Sequence, residues 1–121
     1  MKKILIVDDE PNILKVLGRR LSQEGYSVME AQNGEEGVMK AKADPPNLII
    51  LDMAMPGMDG PDVARIIRED EATKNIPIIF LTCLYTKEEE KKEGHLIGKN
   101  FFVAKPYNPV ELLEIIRQNI I

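Results

Sequence analysis

The stretch Leu48-Ile49-Ile50-Leu51-Asp52-Met53-Ala54-Met55-Pro56-Gly57-Met58-Asp59-Gly60 decides the fold. Its first four residues are apolar and lie between Pro46 and the Pro56-Gly57 pair, which predicts a short strand buried on both faces. Asp52 follows that strand directly. A carboxylate at the end of a buried strand is costly unless its charge is used there. Since ligand crevices form at the carboxyl ends of strands in open α/β sheets, Asp52 is a candidate functional residue.

On both sides of this stretch, segments of strand type and helix type alternate five times. Strands are predicted at residues 3–7, 26–31, 48–51, 77–81 and 100–103. Helices are predicted after Pro11, at residues 35–43, after the cap Asp59, after a capping box at residues 86–89, and after Asn108-Pro109. Such alternation predicts an α/β domain with a parallel sheet and helices on both faces.

The composition limits the class of protein. A chain of 121 residues fits one domain, and its 44% hydrophobic and 30% charged residues are ordinary for a soluble protein. The 16 basic and 20 acidic residues leave no surplus of positive charge for unassisted nucleic-acid binding. No apolar run approaches the roughly 20 residues of a membrane span, and the run that ends at Val7 is too short for a signal peptide. We therefore expect a cytoplasmic protein.

Single copies of cysteine and histidine restrict the chemistry further. Cys83 is the only cysteine, so an internal disulfide is excluded. His95 is the only histidine, so a metal site with two histidine ligands is excluded. The chain contains no GxxxxGK[S/T] motif for a nucleoside triphosphatase.

Polar side chains follow four of the predicted strands. Asp8-Asp9, Asp52, Thr82 and Lys105 stand at these positions. Because the carboxyl ends of parallel strands meet at one edge of the sheet, we expect these side chains to converge. Close carboxylates repel one another by roughly 4 kcal/mol per pair at an effective dielectric constant near 20. A divalent cation relieves that repulsion, and an all-oxygen site suits Mg²⁺. Asp52 is then a candidate nucleophile for covalent phosphoryl transfer, with the metal and Lys105 as electrostatic clamps.

Four motifs in this order resemble the receiver domain of two-component response regulators, over essentially all of residues 1–121. They are Val7-Asp8-Asp9-Glu10, Leu51 to Gly60, Leu81-Thr82 and Lys105-Pro106. The resemblance implies a flavodoxin-like (βα)5 fold with a five-stranded parallel sheet in the order 2-1-3-4-5. It implies a single receiver domain, 1–121, with no output domain, which is either a stand-alone regulator or the receiver part of a larger regulator or hybrid kinase.

The resemblance also implies a metal site and a phosphoacceptor. Asp52 would accept the phosphoryl group. Asp9, Asp52 and the main-chain carbonyl of Ala54 would ligate Mg²⁺ directly, and Asp8 would act through water. Thr82 and Lys105 would each bind a phosphoryl oxygen.

A conformational switch is implied as well. Phe102 would be the switch aromatic that fills the space left when Thr82 moves. This movement would repack the surface made by the fourth predicted helix, the fifth strand and the last helix. The peptide bond between Lys105 and Pro106 is expected to be cis.

The implied partner is a sensor histidine kinase or a phosphotransfer protein, which would present a phosphohistidine to Asp52. A homodimer through the switch surface is a further candidate. Ile115, Ile120 and Ile121 would either form a dimer through the last helix or continue into a missing domain. The chain would catalyse only its own Mg²⁺-dependent phosphorylation and a slow dephosphorylation. No direct nucleic-acid or membrane partner is expected.

Two other functions fit parts of the pattern. An aspartate-nucleophile phosphatase would need a second Asp two residues after Asp52, where Ala54 stands. A flavodoxin-like cofactor carrier would need a phosphate-cradling loop after the first strand, where Asp8-Asp9-Glu10 would repel the cofactor phosphate.

Several residues depart from the family pattern or stand apart from it. Cys83 stands where a smaller Ala is usual, and a small buried hydrophobic residue is the favoured interpretation of it. The predicted helix at residues 87–93 has almost no apolar face, so it is either a mobile switch helix or a solvated helix without a role. His95 is expected on the surface.

Ala54 and Leu84 lie where the family adjusts dephosphorylation with polar side chains. Since neither can orient an attacking water, we expect a long-lived aspartyl phosphate. The measurement is phosphate release from the phosphorylated protein and from an Ala54→Asn variant. The expectation fails if the parent releases phosphate as fast as the variant or faster.

Overall fold

The computed structural model describes residues 1–82, 96–97 and 100–121. The sequence-based expectations for Cys83, Leu84, His95 and the helix at residues 87–93 lie outside these described residues.

Five parallel strands form the body of the sheet. They are β1 (Lys3–Val7), β2 (Ser27–Ala31), β3 (Leu48–Asp52), β4 (Ile78–Thr82) and β6 (Asn100–Ala104). A sixth strand, β5 (Leu96–Ile97), has two residues and precedes β6 in the chain. The order across the sheet is β2-β1-β3-β4-β6-β5. When β6 is counted as the fifth parallel strand, the parallel strands have the order 2-1-3-4-5, so the predicted topology is confirmed. Strand β5, which pairs antiparallel with β6, has no counterpart among the predicted strands.

Four helices lie within the described residues. They are α1 (Pro11–Gln23), α2 (Gly34–Ala43), α3 (Gly60–Glu69) and α4 (Pro109–Asn119). Three of them begin at side-chain caps, of which Asp59 and Asn108 are predicted from the sequence. At α2 the side chain of Asn33 accepts a hydrogen bond from the amide of Glu36. At α3 the side chains of Asp59 and Asp62 each accept from the main-chain amide of the other residue, which forms a capping box. At α4 the side chain of Asn108 accepts from the amides of Val110 and Glu111.

The core has one apolar layer on each face of the sheet. Alternate strand residues such as Ile50 pack with α1 and α4 on one face, and their neighbours such as Leu51 pack with α2 and α3 on the other. All five residues of β3 are buried, which confirms the central strand that its apolar run predicts. Ile115 is only 6% exposed and belongs to the first layer, so the sequence-based assignment of Ile115 to a dimer surface is wrong. Its burial follows from the position of α4 against the sheet.

Two glycines shape the loop between β3 and α3. Gly57 has a φ of +76°, a left-handed backbone conformation that L side chains rarely adopt. Gly60 packs against the end of β3, where an added Cβ would lie 2.5 Å from the main-chain oxygen of Asp52 and 2.9 Å from the Cα of Met53. Gly60 therefore allows α3 to begin directly against the backbone of Asp52.

Replacing Gly60 should destabilise the protein because the added methyl group meets backbone rather than a flexible side chain. We expect Gly60→Ala to lower the free energy of unfolding by about 1–3 kcal/mol in urea denaturation. Gly18→Ala is the matched control, because its Cβ would find only ordinary contacts, the nearest at 3.7 Å. This helical substitution should raise the free energy of unfolding by about 0.5–1 kcal/mol. Equal effects at the two positions would contradict the packing argument.

Candidate functional site

The carboxyl ends of the parallel strands bring the predicted polar side chains to one edge of the sheet. Asp8 follows β1, Asp52 ends β3, Thr82 ends β4, and Lys105 follows β6. Backbone hydrogen bonds hold these strand ends together. The amide of Lys105 donates to the carbonyl of Thr82 at 3.0 Å, and the amide of Asp8 donates to the carbonyl of Ala31 at 3.1 Å.

Three carboxylates form the centre of the site. Asp8, Asp9 and Asp52 each offer one oxygen, and these oxygens all lie within 4.8 Å of one another. Asp8 and Asp52 are buried, whereas Asp9 is exposed. Oxygen donors of this kind and number suit a hard divalent cation such as Mg²⁺, which commonly keeps several waters and takes only a few carboxylates from the protein. The cluster can therefore hold a metal ion.

Lys105 is the positive group of the site. Its Nζ donates to Asp8 Oδ2 and to Asp52 Oδ1, both at 3.2 Å, and lies 3.8 Å from Glu10 Oε1. The side chain of Lys105 is only 11% exposed, so water screens these interactions weakly. Lys105 thus connects the first and third strands of the chain through two charge-assisted hydrogen bonds.

Burial and repulsion change the protonation of the cluster. Burial, followed by the neighbouring charge of Asp8, raises the pKa of Asp52 to about 6 although Lys105 acts in the opposite direction. Burial also raises the pKa of Asp8, against the hydrogen bond from the Glu10 amide and the charge of Lys105. Burial opposes the charge of Lys105, but the carboxylates of Asp8 and Asp52 raise its pKa. The carboxylates therefore lie in a site that disfavours their full ionisation without added positive charge.

The structure also describes the remaining predicted site residues. Thr82 is buried at the end of β4, and Ala54 is exposed in the loop after β3. Phe102 is half-buried on β6, and its ring stacks on that of Phe80 with the centroids 5.0 Å apart. The peptide bond between Lys105 and Pro106 is cis, as the resemblance implies.

Comparison with known proteins identifies the family. The model of the response regulator receiver domain matches residues 4–117. The chain belongs to the response regulator receiver domain family. The receiver fold and the family resemblance predicted from the four motifs are therefore confirmed. Membership of this family also separates the chain from the phosphatase and the flavodoxin-like carrier considered above.

The relatives of this receiver domain include regulators and a kinase. The chain is 41% identical to the transcriptional regulatory protein ResD of Bacillus subtilis over 111 residues, which cover 92% of this chain and 45% of ResD. The structure of the chemotaxis protein CheY4 of Vibrio cholerae matches with a TM-score of 0.85 and 34% identity over 99% of both chains. The receiver domain of a signal transduction histidine kinase from Syntrophus aciditrophicus matches with a TM-score of 0.82 and 30% identity, covering 98% of this chain and 89% of that one.

The receiver domain spans about half the length of the curated relatives that it matches. Among the helices within the described residues, none is long and apolar enough to cross a membrane.

Glu10 is a charged neighbour of the carboxylate cluster to which the sequence motifs assign no role in phosphoryl transfer. It stands in the motif Val7-Asp8-Asp9-Glu10, and its amide donates to Asp8 Oδ1 at 2.9 Å. Its side chain is 61% exposed beside Lys105. The signal that could have drawn attention to it is the third consecutive acidic residue after β1, but its approach to Lys105 depends on the tertiary fold.

The raised pKa of Asp52 predicts a pH-dependent cost to stability. Between its ordinary pKa of 3.8 and its folded value of about 6, the folded protein binds more protons than the unfolded chain. The free energy of unfolding should therefore fall as the pH rises through this window. Asp52→Asn removes the cost, so in EDTA it should be more stable than the parent at pH 7.5, by about 1–3 kcal/mol, and the difference should shrink at pH 5.

Urea denaturation at the two pH values measures this effect. Glu71→Gln is the control, because Glu71 is exposed, lies far along the chain from the cluster and pairs with Lys74. It should change stability little at either pH. Equal stability of the parent and Asp52→Asn at pH 7.5 would show that the buried carboxylate carries no such cost.

Proposed function

We propose that the chain is a phosphorylation-dependent signalling switch whose phosphoacceptor is Asp52. The single observation that supports this most strongly is the contact of Lys105 with Asp52 and Asp8 beside a third carboxylate, Asp9. This arrangement provides a nucleophilic carboxylate, a cation for the phosphoryl oxygens and a set of metal ligands at one point. The proposed donor is the phosphohistidine of a sensor histidine kinase or phosphotransfer protein.

The transfer would be an in-line displacement at phosphorus. A carboxylate oxygen of Asp52 forms a new P–O bond while the P–N bond to the donor imidazole breaks and its electron pair stays on nitrogen. Lys105 already lies 3.2 Å from Asp52, so it is placed to neutralise a phosphoryl oxygen. Thr82, at the end of the neighbouring strand β4, would donate to another phosphoryl oxygen.

Mg²⁺ is the proposed cofactor. Asp9, Asp52 and the main-chain carbonyl of Ala54 would hold it directly, and Asp8 would bind through water. When bound, Mg²⁺ supplies positive charge that offsets the carboxylates and the phosphoryl oxygens. The three clustered carboxylates outnumber the ammonium group of Lys105 beside them, and this excess of negative charge supports the assignment.

The proposed output is a repacking of the surface next to β6. Thr82 would move toward the phosphoryl group, and Phe102 would change its packing in response. Phe102 stacks on buried Phe80 while remaining half-exposed itself, so its ring lies between the core and the surface. This is a two-state element that a modification can bias. A homodimer through the repacked surface, and activity as a stand-alone regulator or as part of a larger regulator or hybrid kinase, belong to this proposal.

Incubation with acetyl phosphate and Mg²⁺, followed by intact mass, tests the assignment of Asp52. The parent should gain about 80 Da, the mass of one HPO₃ unit. Asp52→Asn should gain nothing, because the amide lacks the nucleophilic carboxylate oxygen. Omission of Mg²⁺ should abolish or greatly slow the reaction of the parent. An adduct of the same mass on Asp52→Asn would place the phosphoacceptor elsewhere.

A further inference from the structure

A pocket opens beside Lys105 and Glu10. Its volume is about 540 Å³, and it is lined by Glu10, Ile13, Lys105, Pro106, Tyr107 and Pro109. Lys105 borders both this pocket and the proposed phosphoryl site. The pocket therefore adjoins that site and offers room for the remainder of a phosphodonor, the group that leaves when phosphorus is transferred.

Glu10 supplies the negative charge of this pocket. Its Oε1 lies 3.8 Å from Lys105 Nζ, and its side chain is 61% exposed. The hydrogen bond from its amide to Asp8 Oδ1 fixes the backbone of Glu10 relative to the cluster. The carboxylate lies beside Lys105 at the edge of the site, although Glu10 is outside the group of three acids that can share a metal ion.

The charge balance of the site gives Glu10 a distinct role. Asp8, Asp9 and Asp52 carry three negative charges when ionised, and Lys105 together with a divalent cation would cancel them. Glu10 would then remain as uncancelled negative charge next to the leaving group. A leaving group that carries a proton on nitrogen is attracted by this carboxylate, whereas a departing carboxylate is repelled.

We propose that Glu10 selects phosphodonors by the charge of their leaving group, and this rests on the phosphoacceptor function proposed above. Donors whose leaving group carries a proton on nitrogen are favoured over acyl phosphates. In a phosphoimidazole this proton is on the second ring nitrogen, and in phosphoramidate it is on the nitrogen bonded to phosphorus. In both, the P–N bond breaks, its electron pair stays on the nitrogen of that bond, and the group leaves as neutral imidazole or ammonia. In an acyl phosphate the P–O bond breaks and the electron pair leaves with the carboxylate oxygen. In both classes of donor, the new bond joins phosphorus to an oxygen of Asp52.

Two small donors test the selection directly. The second-order rate constants for phosphorylation by phosphoramidate and by acetyl phosphate are measured by intact mass at saturating Mg²⁺ and low ionic strength. The ratio of the two constants is the informative quantity. A change in the nucleophilicity of Asp52 or in Mg²⁺ binding affects both donors and largely cancels in this ratio.

Neutralising Glu10 should lower the phosphoramidate-to-acetyl-phosphate ratio. For an exposed charge, Glu10→Gln should reduce it by a factor of about two to five, and Glu10→Lys should reduce it further. The effect should diminish at about 0.5 M salt because exposed charges are then screened. Glu71→Gln removes the same charge from an exposed position outside the site and should leave the ratio unchanged.

Two outcomes would overturn the proposal in distinguishable ways. If both donors phosphorylate Asp52 and the ratio is the same in the parent, Glu10→Gln and Glu10→Lys, Glu10 does not select donors, while the phosphoacceptor function stands. If neither donor phosphorylates the parent at Asp52, the phosphoacceptor function fails, and the selection proposed for Glu10 fails with it.

Discussion

The contact of Lys105 with two buried carboxylates is the interaction on which the site depends. Asp8 and Asp52 lie on different strands, and burial raises the pKa of both. Bringing them together costs free energy in two ways, by removal from water and by mutual repulsion. The ammonium group at 3.2 Å from each offsets part of that cost, while its own burial is offset by the carboxylates. The site therefore keeps a concentrated negative charge, which an added cation would neutralise.

Apolar packing supplies stability that offsets the free-energy cost of this charged cluster. β3 is buried along its whole length, and the pairing of β1 and β4 on its two sides fixes where their carboxyl ends lie. On the opposite side of the Asp52 backbone, Gly60 allows α3 to begin in contact with the main-chain oxygen of Asp52. The position of the carboxylate is thus determined by apolar packing and close backbone contact. The unfavourable charge is placed on a strand that is buried along its whole length and paired on both sides.

The sequence predicted the positions of the strands and helices better than how these elements pair and pack. Apolar runs such as Leu48 to Leu51 and cap residues such as Asn108 are local signals, and they located strands and helices to within about two residues. The order of the strands came from the family resemblance, since periodicity alone does not specify which strands pair. Strand β5 was missed because two residues are too short for any periodic pattern. Ile115 was assigned to the surface because its burial depends on how α4 packs against the sheet.

The same distinction applies to the site. The convergence of Asp8, Asp52 and Lys105 follows from a parallel sheet, so the sequence could predict it. The different burial of Asp8 and Asp9 could not be predicted, because it depends on which face of the turn each side chain takes. The approach of Glu10 to Lys105 joins residues far apart in the chain and leaves no local pattern. Sequence motifs thus identify the side chains proposed to carry out phosphoryl transfer. Charged neighbours such as Glu10 are identified only from the three-dimensional structure. Under the selection proposed for Glu10, a receiver domain would keep the motif residues and still differ in its donors through one exposed neighbour.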